Sequence, residues 1–138
     1  MTPERISLVL TALAAVVVLL TRIRMAASRA AAGRLDVPHR LVNVHTLFGV
    51  LALGLWGSFL LVDSVRASVG YAGLFCWWVT TVAGLLLLVR WVPAHGRHAA
   101  DPAADSWGEG PGLSVLGHVG LLIGSLVWTW FLVSGKIG

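Results

Sequence analysis

The chain has little of what soluble enzymes are built from. It contains one cysteine, one tyrosine and six acidic residues, and only 12% of its 138 residues are charged. A single thiol, Cys76, excludes an intrachain disulfide and any chemistry that needs a thiol pair. The acids are Glu4, Asp36, Asp63, Asp101, Asp105 and Glu109. None lies deep in an apolar run, which argues against a carboxylate relay for ion transport within a single chain. There is no phosphate-cradling glycine loop, no Ser, His and Asp constellation and no cysteine–histidine cluster with zinc spacing, so no catalytic residue is assigned.

What is present is apolar. Hydrophobic residues make up 57% of the chain and the mean hydropathy is +0.86, values that leave too little polar surface to cover a soluble domain. Four long runs organise the sequence into one domain over 1–138, with spans expected at about 4–24, 41–62, 69–92 and 113–134. The last three runs have the roughly 20 residues that cross a hydrocarbon core of about 30 Å. The first, Ile6 to Leu20, is shorter. Thr21-Arg22-Ile23-Arg24 extend it, because arginine near a helix end reaches back to the headgroups. Thr2, Pro3 and Glu4 supply its N-cap, first position and first-turn acid. The helix is expected to run on through Ala32 and stop at Gly33. Arg22 and Arg24, directly after the apolar run, argue against a cleaved signal peptide.

Charge sets the expected orientation. Basic residues outnumber acidic ones by 10 to 6, and nine of the ten are arginine. Arg22, Arg24, Arg29, Arg34, Arg40, Arg90 and Arg97 fall on one side of a four-span layout, against Arg5, Arg66 and Lys136 on the other. The fold class expected is therefore all-α: an up-down-up-down bundle of four transmembrane helices with both termini extracytoplasmic and cytoplasmic loops 25–40 and 93–112. The arginine bias, with abundant Ala, Gly, Val and Leu, points to a GC-rich bacterial source and an inner-membrane location. Loop arginines beside apolar spans imply anionic lipid headgroups as partners, and nucleic acid is not expected.

Histidine is the residue type that stands out chemically. His45, in "NVHTLFG", and His118, in "GHVG", lie four and five residues into the second and fourth spans, at depths of roughly 6 and 7.5 Å. Those spans run in the same direction, so the two imidazoles share one level. Two neutral imidazoles at equal depth on separate helices are the ligand set of a b-type haem. His45, Gly49, Ala52 and Trp56 share a helical face, and Gly117 and Gly120 flank His118, which leaves room for a flat group. Arg40, Arg90 and Arg97 are the expected partners of haem propionates. The competing reading is structural: a histidine near a helix start bonds headgroups, water or a neighbouring carbonyl.

Weaker signals lie elsewhere. His95-x-x-His98 with Asp101 and Asp105 offers nitrogen and oxygen ligands for a divalent metal, in a Pro- and Gly-rich loop that a solvated segment explains equally well. Of the seven tryptophans, Trp91, Trp107 and Trp130 fit interfacial belts. Trp56, Trp77 and Trp78 are deeper and either pack the bundle or line a site for a flat ligand such as a quinone. Gly120-x-x-x-Gly124, with Ala72, Gly73 and Gly84, permits close helix approach within the chain or against another subunit. Two functions follow: a small b-haem electron-transfer or membrane-anchor subunit, or a non-catalytic accessory subunit of a larger respiratory or transport complex.

Overall fold

The computed structural model describes residues 1–32, 39–96 and 111–138. They form four α-helices: α1 (Pro3–Ala32), α2 (His39–Leu61), α3 (Ala67–Gly96) and α4 (Pro111–Val133). Each contains a window long and apolar enough to cross a membrane: Pro3–Leu20, Arg40–Leu61, Ala67–Val89 and Val115–Val133. The described residues thus form an all-helical structure of four helices, each capable of spanning a membrane by length and composition.

Local chemistry sets the helix ends. At the start of α1 the Arg5 amide donates to Thr2 Oγ1 at 3.4 Å, satisfying one of the amides that the first turn leaves open. α4 opens on Pro111, where the missing N–H costs no helical bond. Its far end is a Schellman closure: Lys136 N donates to Phe131 O at 2.8 Å and Gly135 N to Leu132 O at 3.2 Å, with Gly135 at φ +64°. α1 is helical through Ala32 as expected, and the expected stop at Gly33 lies outside the described residues. α2 begins at His39 and α3 continues past Pro93 to Gly96, so helix extends into both expected loops, 25–40 and 93–112. Proline withholds one amide but its φ is helical, so α3 continues for a further partial turn.

Polarity is distributed inside out relative to a soluble bundle. Leu13, Leu19, Leu47, Val50, Phe75, Leu86, Leu116 and Ile123 are exposed, while Ser7, Thr11, Thr80, Thr81 and Ser125 are buried. The three buried threonine hydroxyls bond inside their own helices, Thr11 to Ser7 O at 2.7 Å, Thr80 to Cys76 O at 2.9 Å and Thr81 to Trp77 O at 2.8 Å. An apolar perimeter with its polar side chains turned inward suits hydrocarbon as the solvent.

Each helix packs against two others, in the cyclic order α1, α2, α3, α4, with α2 and α3 the most extensive pair. Gly73 explains that intimacy: a Cβ there would lie 2.7 Å from Trp56 N and 3.0 Å from Trp56 Cα, so the two backbones touch where no side chain intervenes. Gly70 similarly admits the Phe59 ring. Above this contact Trp56, Trp77 and Trp128, all 0% exposed, join α2, α3 and α4, with Trp128 5.6 Å from Trp56 and 5.1 Å from Trp77 between ring centroids. Trp78 donates to Thr129 Oγ1 at 3.0 Å, and Thr81 and Ser125 share a hydroxyl bond at 3.0 Å. The deep tryptophans are therefore packing residues in this bundle. Trp130 is exposed, as a belt residue would be, and Lys136 Nζ lies 3.7 Å above its ring.

Candidate intramembrane histidine site

α2 and α4 lie across the bundle and have no direct backbone packing among the described residues. Their histidines nevertheless meet. The apolar face predicted for α2 points inward, with His45, Gly49, Ala52 and Trp56 all buried. On α4, His118, Leu121, Ser125 and Trp128 are the buried series, the spacing of one helix face. Both faces bring an imidazole into the middle of the bundle at the end opposite the tryptophans. His45 is 4% exposed and His118 3%, and their ring centroids are 6.0 Å apart with planes tilted by 45°.

His45 Nε2 is buried with no hydrogen-bond partner. An unsatisfied buried polar atom costs about 1–3 kcal/mol, a cost that Ser7 Oγ and the indole nitrogens of Trp56, Trp77 and Trp128 share, so it is the approach to His118 that singles His45 out. The reading of His45 as an interfacial residue bonded to headgroups is not supported by its burial.

The third member of the site comes from α3. A Cβ on Gly84 would lie 2.5 Å from His118 Cδ2, 2.8 Å from His118 Nε2 and 3.1 Å from His45 Nε2. Glycine alone lets α3 approach both rings. Only the absence of a side chain at 84 brings these two nitrogens together against one point of the α3 backbone.

The residues flagged in the sequence fall into three groups. Gly49, buried one turn beyond His45, keeps ordinary contact distance, its notional Cβ 3.5 Å from Thr80 and Val18. Gly117 faces α1 instead of the histidines: its Cβ would lie 3.1 Å from Val17 Cγ1. Arg40 is exposed in the first turn of α2, and Arg90 and His95 lie in the last turns of α3. Arg97, His98, Asp101, Asp105 and Trp107 lie outside the described residues. Among the described residues no three His, Cys, Asp or Glu come together as a metal cluster. Two residues have a place at the site that the sequence reading did not give them. Gly84 was visible only as one of many small residues, and Arg22 only as a headgroup anchor. The Arg22 guanidinium donates to Thr46 Oγ1 at 3.5 Å, which places a cation beside the residue next to His45.

Which metal group the pair would suit is a matter of donors and space. Imidazole nitrogens hold transition-metal ions at about 2 Å, so two rings sharing one ion have centroids roughly 6 Å apart. The observed 6.0 Å meets that requirement. The equatorial space is different. The notional Gly84 Cβ is nearly equidistant from the two Nε2 atoms and so lies close to the plane midway between them. With bonds of about 2 Å that point is only roughly 2–3 Å from a shared ion, and the Gly84 backbone is one carbon–carbon bond from it. A porphyrin spreads in that plane. The donor atoms fit an axial pair, but the volume does not admit a macrocycle with α3 and α4 packed this closely.

No protein-family model matches the chain, and no curated protein or solved structure shows a significant match to it.

Proposed function

We propose that this chain is a multi-pass protein of the bacterial inner membrane whose work is done by the buried His45–His118 pair, acting as a bis-imidazole ligand set in an electron-transfer or membrane-anchor subunit; haem b matches the donors of that pair but not the space that the packed Gly84 backbone leaves between them. The observation that carries the reading is the 6.0 Å approach of two buried rings from helices whose backbones do not pack on each other among the described residues. In the bilayer the helices run up-down-up-down with both termini outside, so the histidine end faces the cytoplasm. The arginine distribution supports this orientation. Arg22 and Arg40 supply positive charge at that end, for haem propionates or lipid headgroups. Haem b, when bound, supplies a one-electron centre. The protein contributes the two nitrogens, their burial and an apolar shell, which are its means of tuning such a centre. The chain is not proposed as an enzyme on its own.

The test is the absorbance of protein purified in mild detergent from haem-replete cells. Reduced-minus-oxidised Soret and α bands are expected; a colourless protein that also fails to take up added haemin refutes the assignment.

A second reading is an accessory subunit that packs against a larger complex. It is favoured by Gly54, Gly57 and Gly120, whose notional Cβ atoms meet nothing within 4 Å. These glycines are not explained by packing inside this bundle, and they leave smooth patches for helices of another chain or another copy. A stable larger assembly, recovered with no pigment in this chain, is the outcome that separates this reading from the first.

A further inference from the structure

Gly84 decides which metal group the histidine pair can hold. Its notional Cβ lies 2.8 Å from His118 Nε2 and 3.1 Å from His45 Nε2, so both nitrogens converge on one point of α3. In glycine that point is occupied by a hydrogen, and the α-carbon stands one bond length behind it. A single ion between the rings needs no more room than this, whereas a macrocycle does. The 6.0 Å between ring centroids is the separation of two imidazoles that share one ion. His45, 4% exposed, brings to that point an Nε2 with no hydrogen-bond partner to compete with a metal.

The surroundings select the ion. Among the described residues no third His, Cys, Asp or Glu joins the pair, so the four ligands of a closed zinc site are not assembled there. The acids among the described residues, Glu4 and Asp63, lie in the first turn of α1 and in the α2–α3 link, at the end of the bundle away from the histidines. A dication would sit between two neutral rings in an apolar interior with no carboxylate beside it, at a high desolvation cost. Copper(I) carries half that charge, takes imidazole ligands and is stable with two nitrogens in line. Resting on the reading of His45 and His118 as a bis-imidazole ligand set, we propose that the pair, packed as it is against Gly84, is a two-coordinate copper(I) site formed by the two Nε2 atoms. Cys76, the one thiol in the chain, is eight residues along α3 from Gly84, a rise of roughly 12 Å, and takes no part in it.

The test uses the full chain in mild detergent under ascorbate, equilibrated with copper(I) buffered by bathocuproine disulfonate. Copper retained after gel filtration is counted, and copper K-edge absorption of the same sample reports the coordination number. One copper per chain is expected, with the intense low-energy edge feature of a linear cuprous ion and the scattering of two imidazoles. His45→Gln and His118→Gln should each lose the ion with circular dichroism unchanged, and Cys76→Ala should retain it. Gly84→Ala, whose Cβ would meet His118 Cδ2 at 2.5 Å, should lose it as well. Copper retained in either histidine variant, copper lost in Cys76→Ala, or the edge of a three- or four-coordinate ion overturns the site. Haemin added to a parallel sample separates this inference from the reading beneath it. A bis-imidazole haem spectrum that needs both histidines, with no copper taken up, overturns the copper site and leaves the ligand set standing; uptake of neither overturns both.

Discussion

His45 and His118 are brought within 6.0 Å of each other by helices on opposite corners of the bundle, and Gly84 from a third helix is the surface against which both rings rest. Three elements converge on two imidazoles in an otherwise apolar interior. Polar groups so placed persist in membrane proteins when they bind something.

The first prediction concerns those two rings. Neither contributes a large apolar volume to the core, so His45→Ala and His118→Ala should leave helical content by circular dichroism unchanged. Each should abolish, or convert to a five-coordinate spectrum, any haem the wild type carries. Six-coordinate bis-imidazole spectra in either variant would show that the missing ring was not a ligand.

The α2–α3 contact is the second test. Gly73→Ala places a methyl group 2.7 Å from a backbone nitrogen that has no side-chain freedom with which to yield. A loss on the order of 1–3 kcal/mol is expected, the usual range for overpacking, read from unfolding in detergent. Gly54→Ala, with open space around it, should be neutral or slightly stabilising, since alanine is the better helix former by up to about 1 kcal/mol.

Trp128 is the third. It sits between two other buried indoles, so Trp128→Ala opens a cavity bounded by three helices, and a loss of about 3 kcal/mol is expected. The exposed Trp130→Ala should cost far less and change the protein's interfacial anchoring instead.

The hydroxyl bridge between Thr81 and Ser125 is the fourth. A double-mutant cycle of Thr81→Val and Ser125→Ala should give a coupling near 0.6 kcal/mol, the average for interhelical bonds in membrane bundles. A coupling indistinguishable from zero would mean the bridge does not hold α4.

The fold was legible because membrane spans announce themselves by length and composition: three of the four runs needed nothing more than hydropathy, and α1 needed only its N-cap and the snorkelling arginines. His45 and His118 were legible as a pair because equal distance from a helix start translates into equal depth. The buried face through Gly49, Ala52 and Trp56 followed from helical spacing alone. Gly84 was not legible as a site residue. α3 is apolar on nearly every face, so its sequence carries no stripe from which to read its rotation. Trp128 was given neither a belt nor a site role by its sequence, and packing against Trp56 and Trp77 shows it to be core. Gly117 misled in the opposite direction. Its neighbourhood to His118 in sequence suggested space for a ligand, but its own direction points to Val17 on α1.

The central claim is that both imidazoles bind one iron. Near-infrared magnetic circular dichroism of the oxidised, haem-loaded protein measures this most directly, because the ligand-to-metal charge-transfer band reports the identity of both axial ligands at once. A low-spin band characteristic of two imidazole nitrogens, lost in His45→Ala and in His118→Ala, is the predicted result. A high-spin spectrum, a histidine–methionine signature, or a bis-imidazole band that survives either substitution would contradict it.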